Sequence, residues 1–197
     1  MFPFNNVILA SKSPRRRDLL KQIGISFSIE ISGIDESIPL DLPPILMAEY
    51  LSKEKAKKIS IKFPKQLVIG ADTIVVLDNK ILGKPKSNKE SFEMLSFLSG
   101  KTHKVITGVS LQCINNNINT SFHEITKVTF NELSDSDIYY YIETYKPFDK
   151  AGSYGIQDWF AVNVEKIDGC FYNVMGFPIS RFYKFYKAIE QGDSLID

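Results

Sequence analysis

The 197 residues carry 24 basic and 23 acidic side chains, a net charge of +1, and 44% are hydrophobic. That balance suits one globular domain spanning 1–197, with length enough for two lobes, and argues against stable nucleic-acid binding, which usually brings a basic excess. No apolar run nears the roughly 20 residues of a membrane span, Met1–Ala10 lacks a basic leader, and Cys113 and Cys170 lack metal-type spacing, so a cytoplasmic protein with reduced thiols and no membrane partner is expected.

Val7–Ala10 reads as a short buried strand. Ser13 and Pro14 then supply a cap and a first-turn proline for a helix that runs to about Ile23 and stops at Gly24. Phe27–Ile31 is a second strand, and Pro43-Pro44 precedes a helix reaching about Ser60. Leu67–Asp78 is the strongest strand signal, β-branched and nearly continuous, as in a strand covered on both faces. After the Asp78-Asn79 turn, Lys80–Leu82 returns as a hairpin arm. A helix over Asn88–Ser99 ends at Gly100. Two long strands follow, Lys104–Cys113 and Asn119–Phe130, joined by three asparagines. Ser134 opens another helix through about Thr144. Beyond it come a glycine-bearing loop (Lys150–Gln157), a hairpin near Phe160–Asn173, and a C-terminal helix from Pro178 to about Ile189. The class is mixed α/β, with a largely antiparallel share of sheet.

Four places carry chemistry. Ser11–Arg17 joins a buried strand to a helix start, where free N–H groups favour an anion and guanidinium forks fit phosphate oxygens. Three arginines oppose the helix dipole there, which points to a bound anion; a solvated basic turn is the alternative. Asp72 interrupts the most apolar strand, so its carboxylate needs a metal or a cationic partner, or it takes up a proton. A structural ion pair is its alternative, and Thr73 beside it faces the other way. Asp35 and Glu36 offer further carboxylates from a loop, and Glu36 with Asp72 would suffice for magnesium. Lys55 shares a helical stripe with Ala48, Leu51 and Ile59 and therefore leans inward, while Lys53 and Lys57 project away. Finally, the small residues of Lys150–Gln157 allow close backbone approach, and the Gln157 amide can both donate to and accept from a uracil or thymine edge. His103 and His123 read as structural or surface residues.

In this order, the pieces resemble the Maf family of nucleotide pyrophosphatases. The resemblance lies in Leu9–Arg16, Gly33–Glu36, Glu54–Ala56, Gly70–Val75, Gly83–Pro85, Ser99–Gly108, Asp149–Gln157 and Val174–Pro178. It implies two α/β lobes around an elongated mixed sheet with the active site in a central cleft, and a divalent cation, Mg2+ or Mn2+. It also implies release of pyrophosphate from a nucleoside triphosphate. Carried over, Asp72 would be the proton acceptor for the attacking water and share the metal with Glu36. Ser13, Arg15, Arg16, Lys55, Lys84 and, less centrally, Lys150 would hold the phosphates. Arg15, Thr73 and Gln157 match the type acting on dTTP and UTP rather than the type acting on 7-methyl-GTP. Asp158-Trp159 departs from the family pattern of glycine followed by an apolar residue, which bears on the shape of the loop. Two other readings stand beside this one: a pyrophosphatase for 7-methyl-GTP or another modified nucleotide, and a nucleotide-binding regulator of septum formation. A homodimer stays open as the assembly.

Overall fold

The computed structural model describes residues 7–34 and 42–192. Its strands are β1 (Val7–Leu9), β2 (Phe27–Ile29), β3 (Leu67–Leu77), β4 (Lys80–Leu82), β5 (Thr102–Cys113), β6 (Ile118–Phe130) and β7 (Val164–Asp168). The α-helices are α1 (Pro14–Gln22), α2 (Pro44–Ser60), α3 (Asn88–Leu98), α4 (Asp135–Tyr145), α5 (Phe171–Val174) and α6 (Ile179–Gln191). The strand order is β2-β1-β3-β5-β6-β7, with β4 paired to β3. β1 runs parallel to both β2 and β3, whereas β4 and β7 join their neighbours antiparallel. The sheet is therefore mixed, as the sequence pattern implies.

The chain forms two compact units, and three of their four boundaries fall within β3, β5 and β6, the fourth between α5 and α6. The first contains 1–72, 107–124 and 176–197; the second contains 73–106 and 125–175. In the first, Ile8, Ala10, Ala56, Ile59 and Val68 make a core that packs α2 onto β1 and β3. In the second, α3 and α4 close over the sheet through Leu95, Leu98, Val105, Val128, Phe130, Ile138 and Tyr141. Among the described residues, no helix is long and apolar enough to cross a membrane. Both cysteines are free thiols.

Two expectations need correction. The second strand stops at Ile29, and Ile31 is exposed beyond it. The C-terminal hairpin does not form. Asp158 caps a tight 3-10 turn over Trp159–Asn163 by accepting from Phe160 N, and burial of the Phe160 ring holds that turn in the core. The single strand β7 then pairs with β6, and Phe171–Val174 turns into the short α5. A local cap and one buried aromatic outweigh the strand pattern.

Candidate active site

In the first unit, the chain leaves β1 beside β3. Leu9 is level with Ile69 in the parallel register, and Ala10 N donates to Ile69 O at 2.8 Å. The Ser11–Ser13 turn thus departs next to Gly70, two residues before Asp72. Ser13 takes an extended conformation, and its hydroxyl accepts from Arg16 N, which caps α1 as expected. The buried Ser11 Oγ accepts from Ser13 N at 3.2 Å and from Arg16 Nη1 at 3.1 Å. Arg16 Nε donates to Gly176 O at 2.9 Å, so its guanidinium braces the helix start against the segment before α6. Arg15 is half-buried in the same turn. No acidic residue occupies the first turn, which leaves the positive end of the helix dipole for an outside anion.

Asp72 and Thr73 are the two half-buried residues of a strand that is otherwise buried throughout. Lys55 Nζ reaches Asp72 Oδ1 at 2.5 Å, and Lys55 is only 8% exposed. The helical stripe therefore reads correctly: Lys55 points inward, while Lys53 pairs with Glu49 on the exposed side at 3.0 Å. Two glycines bring α2 close enough for this contact. A Cβ at Gly70 would collide with the backbone of Ser52 and Ala56, and one at Gly108 would collide with the backbone of Ala48. Both glycines mark places where a helix backbone lies against a strand, which a side chain would prevent. Sequence reasoning quoted Gly70 and Gly108 within motifs but missed this packing role, signalled by the small residues Ala48, Ser52 and Ala56.

A second polar cluster on α2 was also missed. Glu49 accepts from Ser121 Oγ at 2.8 Å and contacts His123 Nδ1 at 2.9 Å. Burial alone would raise the Glu49 pKa, but the contacts with His123, Ser121 and Lys53 outweigh it and hold the carboxyl down at about 2. This cluster fastens the N-terminal half of α2 to β6 and so helps place the helix that carries Lys55. Glu36, the other expected carboxylate, lies outside the described residues. Lys58 Nζ donates to the carbonyl of Gly33, in the chain leading towards it, at 2.9 Å.

In the second unit, two motif segments come together: Gly152 N donates to Gly83 O at 3.0 Å, which joins the Lys84 turn to the loop carrying Lys150. Lys84 is exposed, whereas Lys150 is largely covered and pairs with Asp149 at 2.8 Å. Gly152 and Ser153 both have positive φ, and the buried Ser153 hydroxyl meets that of Ser91. His103 is buried: its Nε2 lies 2.8 Å from Tyr154 OH, and desolvation lowers its pKa to about 4, so it is the structural residue expected. Gln157 stands exposed at the end of this loop.

Fold and geometry define a mixed α/β protein in which a helix start without first-turn acids lies beside a strand whose Asp72 pairs with Lys55 of α2. The family model described as Maf-like protein matches residues 6–189, and the chain belongs to that family. It is similar to a dTTP/UTP pyrophosphatase of Bacillus pumilus, 50% identical over 177 residues that cover 90% of this chain and 93% of that protein. A dTTP/UTP pyrophosphatase of Ruminiclostridium cellulolyticum is 48% identical over 187 residues, 94% and 97% of the two chains. Among solved structures, the Ham1 protein of Staphylococcus aureus aligns with 64% of this chain and 72% of its own at 12% identity, with a TM-score of 0.45.

Proposed function

We propose that the protein is a cytoplasmic nucleoside triphosphate pyrophosphatase that hydrolyses dTTP and UTP to the monophosphate and pyrophosphate. The observation that carries this reading is the Lys55–Asp72 pair, held within β3 and α2 next to the start of α1. An ionised carboxylate beside a cation can orient a water and accept its proton, and the cation can balance phosphate charge. Family membership and the relatives' dTTP/UTP activity support the same reaction.

In this proposal Asp72 is the general base. Ser13, Arg15, Arg16 and the N–H groups of α1 receive phosphate oxygens, and Lys55, Lys84 and Lys150 add positive charge. Arg15, Thr73 and Gln157 choose the base; a neutral amide suits a neutral pyrimidine edge. A divalent cation would need only one or two protein carboxylates, with phosphate oxygens and water completing the set, as magnesium does elsewhere. Asp72 with Glu36 would hold it; among the described residues, no group of three His, Cys, Asp or Glu side chains forms a cage. When bound, it would stabilise charge on the phosphates. The chain's own residues orient the triphosphate and take the proton from water.

The test is product analysis with UTP and dTTP in Mg2+ and in Mn2+. The monophosphate and pyrophosphate are expected; the nucleoside diphosphate with orthophosphate would overturn attack at the α-phosphorus.

A further inference from the structure

The departure at Asp158-Trp159 proves to be built into the second unit. Gly155 N, a buried donor, gives its hydrogen to Tyr141 OH at 3.0 Å, and Tyr141 OH donates onward to Asp158 Oδ2 at 3.1 Å. Asp158 N closes the turn by donating to Gly155 O at 3.3 Å, and Asp158 Oδ1 accepts from Phe160 N at 3.1 Å. Within this four-bond frame Ile156 is 3% exposed, anchored in the core, while Gln157 takes the exposed corner. The Tyr141 ring is itself gripped: it stacks on Tyr145 and Trp159 and meets Phe160 edge-on. Trp159 also packs against Tyr140, so α4 holds both departing residues. Burial, and then the neighbouring Asp158 charge, raise the pKa of Tyr141, which keeps its proton available to Asp158.

We propose that Tyr141 and Asp158 are positioning residues that fix the direction of Gln157 and thereby the base preference of the enzyme. The proposal rests on the pyrophosphatase reading. In this role neither residue needs to touch the nucleotide. They act through the Gly155–Asp158 turn, whose two corners are the anchored Ile156 and the exposed Gln157. A loosened turn lets Gln157 wander and opens the site to larger bases, so the loss falls on discrimination rather than on the chemical step.

Tyr141→Phe is the cleanest variant, because it removes one hydroxyl and leaves the Asp158 charge in place. Asp158→Ala, Asp158→Asn and the double variant Tyr141→Phe/Asp158→Ala complete the set. For each, kcat and KM are measured with UTP and with GTP, alongside melting. Tyr141→Phe is expected to lower the UTP-over-GTP ratio of kcat/KM by about tenfold, through a higher KM for UTP, with kcat for UTP within about twofold of wild type. Asp158→Asn, which keeps a polar group towards Tyr141 and Phe160 N, should lose less than Asp158→Ala. The double variant should discriminate no worse than the poorer single variant, because both residues act through one turn. An unchanged ratio in Tyr141→Phe, with only a lower melting temperature, would overturn the proposal and leave the pyrophosphatase reading intact. A wild-type chain that releases no pyrophosphate from UTP would overturn both.

Discussion

The two units prepare their polar residues in opposite ways. In the first, charge is placed by side-chain pairing inside a packed wall: Lys55 is buried against Asp72, and Arg16 is tied to Ser11 and Gly176. In the second, the backbone is fixed and the polar ends face outward: Lys84 and Gln157 are exposed, on turns held by Gly152, Tyr141 and Asp158. The first arrangement suits chemistry, where a reacting group must not wander. The second suits recognition, where rigid turns present side chains to a variable part of a ligand. Rate and selectivity should therefore fail separately when the two regions are altered.

The largest effect is expected at Asp72. Asp72→Asn keeps the shape but, on the proposed mechanism, removes the base and weakens metal binding, so turnover should fall by roughly 100-fold or more. Steady-state kinetics on the purified, folded variant checks this, and near-full activity would remove Asp72 from the chemistry.

Glycine substitutions sharpen the contrast. At Gly70 an added methyl meets backbone of Ser52 and Ala56, which can move only if α2 moves. At Gly155 it meets side-chain atoms, Asp158 Oδ2 at 2.5 Å and Lys150 Cε at 2.9 Å. Gly70→Ala should therefore cost about 1–3 kcal/mol of stability and lower turnover by displacing Lys55. Gly155→Ala should cost less in denaturant titrations and act mainly on KM. Equal losses at both sites would show that α2 is not seated by Gly70.

The smallest effect is in acid, and the units differ there too. Buried His103 titrates lower in the folded chain, at about 4 against an ordinary 6.5, so the unfolded chain binds more protons and stability falls as pH drops through that window. Glu49 also has a depressed folded value, about 2 against 4.5, so its contribution is present above pH 4.5 and is lost as pH falls towards 2. Melting measured from pH 7 to pH 3 should flatten near pH 5 in His103→Gln, and below pH 4.5 in Glu49→Gln. Unaltered curves would mean that neither contact persists in solution.

Much of this was legible in the sequence. Ser13 and Pro14 announce the start of α1, because cap chemistry is local, and Lys55 reads as inward because helical spacing fixes its face. The partner of Lys55 was not legible: Asp72 lies on another element, reached only because Gly70 lets α2 approach. The brace at Tyr141 and Asp158 was invisible for the same reason, since a hydroxyl on α4 shows no pattern towards a turn that follows it. The missing hairpin after Phe160 failed on a competition between a strand pattern and a side-chain cap, which alternation of residue types does not weigh.

On the proposed mechanism the Lys55–Asp72 pair exists for chemistry and not for stability. A buried pair that loses one partner leaves an uncompensated charge, whereas replacing both partners with uncharged groups is often neutral. The deciding measurement is melting and turnover of Lys55→Met/Asp72→Asn beside Asp72→Asn alone. The double variant should melt at or above the single one yet remain at least about 100-fold slower than wild type. A double variant that turns over UTP at close to the wild-type rate would contradict a chemical role for the pair.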